Sequence, residues 1–225
     1  MSGIGRKRSP AAGNLFGVTT SPWSRYALVL VDLQRDFWTE GVAATAPELP
    51  DRVAALLAYA RAEGLTVVHV RARFRRDGSD WIARYRLRTW IPCIDGTPGV
   101  ETLPFAAELA GEPVVAKQSF DGFLGTDLDE VLAERGVRGL LVAGLVTSTC
   151  VLFTASTGTQ RGYLVKVVSD CCSDREELHH ATLGAYPFVF DIVRSDQIAK
   201  RRDDWDTELE RMATWLHDDH ASESV

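Results

Sequence analysis

The sequence predicts an α/β protein, a three-layer αβα sandwich around a six-stranded, mostly parallel sheet, and three observations carry that expectation. Apolar runs of strand length alternate with helix-length segments along most of the chain. Those strand runs are continuously apolar rather than alternating, as strands covered on both faces are. The 225 residues, 45% hydrophobic and 25% charged, show no compositional break, which suits one large domain.

The elements follow in order. YALVLVD (26–32) reads as a buried strand, and ELPDRVAALLAYARAEG (48–64) as a helix with a glycine stop. LTVVHVRA (65–72) is the next strand. Residues 73–112 form a long connection rich in Arg, Trp, Gly and Pro, and PVVAK (113–117) is a third strand. TDLDEVLAERG (126–136) opens on Thr and closes on Gly, as helix capping favours. VRGLLVAGL (137–145) and YLVKVVSD (163–170) are strands around a helix, CVLFTASTGTQRG (150–162). REELHHATLGAY (175–186) is a helix, FVFDIVRS (188–195) a last strand, and DDWDTELERMATWLHDD (203–219) the closing helix. Residues 1–22 are expected to be a flexible extension, with the domain over 23–225. A connection as long as 73–112 inside a compact domain is usually functional, so it is expected to be a lid or a subunit contact.

Charge and composition exclude several classes of function. A net charge of −6 gives no electrostatic reason to bind nucleic acid or an anionic membrane. The local exception is the arginine series Arg71, Arg73, Arg75, Arg76, Arg84, Arg86 and Arg88, which reads as a solvated loop, a subunit contact or an anion-binding surface. No apolar run approaches the roughly 20 residues that span a bilayer. The basic N-terminus lacks the hydrophobic stretch of a secretory signal. Cys93, Cys150, Cys171 and Cys172 form neither a CxxC motif nor a disulfide framework, so a cytoplasmic setting is expected.

Ligands in parallel α/β sheets bind at the carboxyl ends of the strands. Three residues with chemistry stand at such ends. Asp32 follows YALVLV directly, and a carboxylate there serves either a turn or a site; Asp36, in the loop beyond, is the weaker candidate. Lys117 ends PVVAK, where a lysine either snorkels to the surface or points into a pocket. Cys150 follows a tight turn after a strand and begins an apolar helix, a position where the helix dipole is expected to lower a thiol pKa. The other reading is a small core cysteine. Together the three offer nucleophilic catalysis: Asp32 accepts the thiol proton, Lys117 stabilises the charges, and Cys150 attacks a carbonyl carbon. His69, within a strand, reads as core, and His179, His180, His217 and His220 carry no assigned role.

The segments VLVDLQRDF (29–37), AKQSFDGFLGTDLDEVL (116–132) and VAGLVTSTCVLFTASTGTQRGYLVKVVSD (142–170) resemble the isochorismatase-like cysteine hydrolases, a superfamily that includes nicotinamidases, N-carbamoylsarcosine amidase, ureidoacrylate and biuret hydrolases and isochorismatases. The resemblance covers about residues 25–200. It implies a catalytic trio of Asp32, Lys117 and Cys150, a cis peptide at Leu145–Val146, an oxyanion hole from the N–H groups of Val146 and Cys150, and a turn-stabilising Thr147. The Asp-x-His pair of metal-dependent nicotinamidases is missing from residues 36–80, so no metal and no cofactor are expected. A cysteine nucleophile favours C–N hydrolysis of an amide, ureido or carbamoyl compound through a thioester. The alternatives are vinyl-ether hydrolysis of the isochorismatase type, with Asp32 as acid, and a non-catalytic binding module on the same fold. Phe37, Trp38, Trp90, Phe120, Phe123 and Thr147 are the candidate substrate-binding residues. A homo-oligomer, dimer or tetramer, is expected by resemblance, with the 73–112 connection and the closing helix (Trp205, Trp215) as contact surfaces.

Overall fold

The apolar run Tyr26–Val31 forms β1, buried along its whole length at the centre of the sheet. A computed structural model describes residues 21–218 of the chain, with side chains to Thr214; the expected extension at 1–20 and His220 lie outside those residues. The strands are β1 (Tyr26–Val31), β2 (Thr66–Ala72), β3 (Val114–Lys117), β4 (Gly139–Leu145), β5 (Leu164–Ser173) and β6 (Asp191–Val193). They pair in the order β3-β2-β1-β4-β5-β6, every pair parallel. The helices are α1 (Glu40–Thr45), α2 (Leu49–Glu63), α3 (Leu128–Ala133), α4 (Leu152–Gln160), α5 (Glu176–Ala185) and α6 (Ile198–Asp218). The strand order reverses between β1 and β4, so the crevice beyond their carboxyl ends is the topological switch point where such sheets bind ligands.

Local chemistry accounts for most boundaries. Gly64 ends α2 in the left-handed conformation, and its N–H reaches the carbonyls of Ala60 and Arg61. The short α1 was not expected; Thr39 caps it, its side chain accepting the Val42 N–H at 3.4 Å. The strand expected at 163–170 runs on through Cys171 and Cys172 to Ser173, with an irregularity in its pairing to β4 between Val142 and Gly144. The closing helix begins at Ile198, earlier than expected, because Ile198, Trp205 and Leu209 give it one apolar face for the sheet. Trp205 is therefore not a contact surface: it is buried edge-on against Trp23, ring centroids 6.3 Å apart. The side chain of Trp215 lies outside the described ones.

The 73–112 connection is an ordered structure with its own apolar cluster. Phe74, Tyr85, Ile91 and Cys93 are buried together with Ala72, and Phe37 and Phe120 pack against both this cluster and the main core. Its far end is tied down by charge. Glu112 takes both Arg61 nitrogens (2.8 and 2.9 Å) and His69 Nε2 (2.8 Å), while Arg71 pairs with Glu108 at 2.8 Å.

Candidate active site

Asp32, Lys117 and Cys150, far apart in the sequence, meet beyond the carboxyl ends of β1, β3 and β4. Asp32 is the first residue after β1 and turns the chain with φ of +50°, a conformation that aspartate tolerates better than most side chains. Its N–H donates to the Val70 carbonyl at 2.8 Å, and its Oδ1 accepts the Ala72 N–H at 2.8 Å. Gln34 braces the same corner, donating to the carbonyls of Ala72 and Val100, both at 2.9 Å. The carboxylate is thus held by β2, the strand between β1 and β3.

Lys117 is buried, and its Nζ lies 2.7 Å from Asp32 Oδ2, 2.8 Å from the Ser119 carbonyl and 3.5 Å from Cys150 Sγ. The Lys117 ammonium and the Asp32 carboxylate thus form a buried ion pair beside the cysteine sulfur. Burial works against a charged Lys117, but the Asp32 carboxylate and the Cys150 sulfur more than offset it and hold the ammonium above its ordinary pKa. The surface-snorkel reading of this lysine does not hold.

Cys150 lies in the turn after β4. Residues Thr147–Val151 form one wide π-helical turn that leads into α4, so the helix starts before the cysteine rather than at it. The Leu145–Val146 peptide is cis. Gly144 (φ +135°) makes the approach possible, because a Cβ there would stand 2.0 Å from the Val31 carbonyl oxygen. Asp174 pins the turn, its Oδ2 accepting the Ser148 N–H (2.9 Å) and hydroxyl (2.5 Å). The expected lowering of the thiol pKa is reversed. Burial pushes the Cys150 thiol up, Asp32 adds to the effect, and Lys117 opposes it only in part. Burial and the neighbouring carboxylate thus favour the protonated thiol.

The candidate substrate residues separate. Phe37 and Phe120 stand between the two apolar clusters, and Phe120 stacks on Phe153 of α4 (6.2 Å). Trp38 is half-buried, edge-on to Phe105 at 5.8 Å. Thr147 is buried in the turn that carries Cys150, its Oγ1 2.8 Å from His179 Nδ1, so that histidine supports the turn and is not idle. Two of these residues stand apart from the others. Trp90 is 57% exposed and joins neither cluster. Phe123 is core, stacked on Tyr163 (5.9 Å) under Arg161 (5.3 Å), near the far end of α4. Asp36 binds the Cys93 N–H at 2.7 Å and clasps the connection. Asp170, buried at the irregularity of β5, holds Ser195 and Arg52. Sequence reasoning missed Tyr85, a buried phenol whose ionisation feels Cys150, Lys117 and Asp32; no local motif marks it.

The Isochorismatase domain model matches residues 26–187, a span that includes all three of these side chains. The chain belongs to the isochorismatase family. It is similar to maleamate amidohydrolase of Pseudomonas putida, 32% identical over 165 residues, covering 70% of this chain and 76% of that one. It is also similar to ureidoacrylate amidohydrolase of Methylorubrum extorquens, 30% identical, covering 64% and 67%. Among solved structures, an isochorismatase family protein of Desulfovibrio vulgaris is 34% identical with a TM-score of 0.72, covering 78% of this chain and 97% of that one. N-carbamoylsarcosine amidase of Thermoplasma acidophilum is 27% identical with a TM-score of 0.65, covering 76% and 97%. This member of an isochorismatase-like hydrolase family thus has amidohydrolases among its relatives. Among the described residues, no helix is long and apolar enough to cross a membrane.

Proposed function

We propose that the protein is a cysteine hydrolase that cleaves the C–N bond of a small amide, ureido or carbamoyl compound. The observation that carries the reading is a buried thiol 3.5 Å from an ammonium that is itself 2.7 Å from a carboxylate. A neutral thiol needs a base at the moment of attack, and Asp32 is the base beside it. Asp32 takes the thiol proton as Cys150 Sγ bonds to the carbonyl carbon. The tetrahedral oxyanion is held by the N–H groups of Val146 and Cys150. Collapse breaks the C–N bond, and the leaving nitrogen takes the proton from Asp32. Water then attacks the thioester, gives its proton to Asp32, and the acid leaves as the thiol is restored. Lys117, held charged, keeps Asp32 in place and offsets the negative charge that develops. No step asks for a metal or cofactor. The maleamate and ureidoacrylate amidohydrolases among its relatives make that substrate class the one to test first.

The test is ammonia release from a panel of amides, ureas and carbamoyl compounds, with intact-mass detection of an acyl adduct on Cys150. Wild type turns over, and Cys150→Ala loses at least about a thousandfold in rate. Undiminished ammonia release by Cys150→Ala overturns the proposal that the sulfur is the nucleophile. The reading extends to a homo-oligomer working in the cytoplasm; light scattering checks the first and fractionation the second.

A further inference from the structure

β3, which ends on Lys117, has four residues and is the outermost strand on its side of the sheet. An edge strand is paired on one side only, so other contacts must fix where its last side chain points. For Lys117 that contact is the Ser119 carbonyl, two residues on and 2.8 Å from the ammonium. Where the carbonyl stands depends in turn on the loop that follows it, residues 119–123.

That loop is locked by its own side chains and by α4. The Ser119 hydroxyl donates to the Asp121 carbonyl at 2.7 Å and accepts the Asp121 N–H at 3.2 Å. Asp121 Oδ1 accepts the Phe123 N–H at 2.9 Å, and its Oδ2 accepts the Thr157 hydroxyl at 2.6 Å. Next to it, the Gly122 N–H donates to Thr154 Oγ1 at 2.9 Å. The approach is close, since a Cβ on Gly122 would stand 2.9 Å from the Thr154 methyl. Thr154 and Thr157, three residues apart, share one face of α4, and α4 runs directly on from the turn that holds Cys150. The helix behind the sulfur therefore grips the loop that seats the ammonium. Among the described residues no lysine or arginine pairs with Asp121, and both of its oxygens accept from neutral donors. Hydrogen bonds to a carboxylate are roughly twice as strong as those between neutral groups, so the charge stiffens this joint.

We infer that Asp121 is a positioning residue of the site: by locking the loop to α4 it fixes the Ser119 carbonyl, and with it the 3.5 Å approach of the Lys117 ammonium to the Cys150 sulfur. Its carboxylate bonds neither Lys117 nor Cys150, so it acts through the lysine. What that spacing means for catalysis rests on the hydrolase reading above.

The experiment is the pH profile of iodoacetamide labelling at Cys150, followed by peptide mass spectrometry on the full chain, and it needs no substrate. Lys117 favours the thiolate, so a displaced ammonium moves the profile to higher pH. Asp121→Ala and Thr157→Val should each move it up by about half a pH unit or more. Asp121→Asn, which keeps both bonds in neutral form, should fall between wild type and Asp121→Ala. In a Lys117→Met background neither variant should add a further shift. Thr159→Val is the control: it removes a hydroxyl of the same helix that holds the Val189 carbonyl at 2.7 Å, and should lower the melting temperature without moving the profile. On the panel of amides, Asp121→Ala should lower kcat at least about fivefold and change KM less than about twofold. Should Asp121→Ala fail to fold, Thr157→Val decides. An unmoved profile, a shift that persists without Lys117, or an equal shift in Thr159→Val overturns the inference. The expected shifts in a protein whose wild type releases no ammonia from any amide would instead defeat the hydrolase reading and leave this one standing.

Discussion

Asp32 occupies a backbone conformation that costs a non-glycine residue on the order of 1 kcal/mol or more, and the surrounding bonds hold it there. One carboxylate oxygen accepts the Ala72 N–H of β2 and the other lies 2.7 Å from the Lys117 ammonium, on the side of the cysteine. Asp32→Asn, nearly isosteric, should fold and lose about a hundredfold or more in kcat, read from steady-state kinetics. The same residue governs the thiol. Because Asp32 raises the Cys150 pKa and Lys117 lowers it, iodoacetamide labelling of wild type should still be accelerating above the ordinary thiol range. Asp32→Asn should move that profile to lower pH and Lys117→Met to higher pH. A labelling rate that levels off near neutral pH in wild type would mean that the sulfur rests as thiolate.

The nucleophile turn is an element made of strand end, cis peptide and π-helical turn, and its shape depends on neighbours on both sides. Gly144 lies opposite Val31 across the β1–β4 pairing, with no room for a side chain. Gly144→Ala should lose more than about 4 kcal/mol or fail to fold, as denaturant titration or soluble yield would record. Asp174 acts from the other side, through Ser148. Its removal leaves the half-buried Ser148 N–H and hydroxyl unmet, a loss of about 1–2 kcal/mol, so Asp174→Ala should melt a few degrees lower. Since that turn also presents the N–H groups proposed for the oxyanion hole, kcat should fall more than KM rises. An Asp174→Ala protein with wild-type kcat would show that the turn holds its shape unaided.

At the scale of the whole molecule, the long connection is anchored by buried charge rather than by helix or strand. Glu112 is the hub: burial opposes its charge, but Arg61, the Leu109 N–H and His69 outweigh that and lower its pKa to about 2. A carboxylate depressed in the fold contributes stability that is present above its unfolded pKa, near 4.3, and is lost as pH falls towards 2. That contribution is on the order of 2–3 kcal/mol at neutral pH. Thermal melts of wild type should therefore drop steeply between about pH 4.5 and 2. Glu112→Gln should be less stable at pH 7 and nearly flat in that window; a parallel drop in both proteins would assign the acid sensitivity elsewhere.

The strands and their order of appearance were legible because periodicity and capping are local: Tyr26–Val31, Gly64 and Gly139–Leu145 each signal through their immediate neighbours. The trio was legible for a related reason, since a parallel sheet gathers strand ends, and Asp32, Lys117 and the turn before Cys150 sit at such ends. Elements whose signal is distributed were misjudged. β5 continues past Asp170 through Cys171, Cys172 and Ser173, with Arg52 and Ser195 receiving the aspartate, and Trp205 turns inward because Trp23 and Tyr26 offer it a face. Phe123, an aromatic beside the Lys117 segment, is core, and Tyr85, which no motif marks, is buried against Phe74 and Phe120. By itself the sequence determined which side chains could react and which strands would bring them together. Only the tertiary structure decided how burial and charge bear on the sulfur and which residues surround it, because burial and electric field are sums over groups contributed by distant segments and no window of sequence contains them.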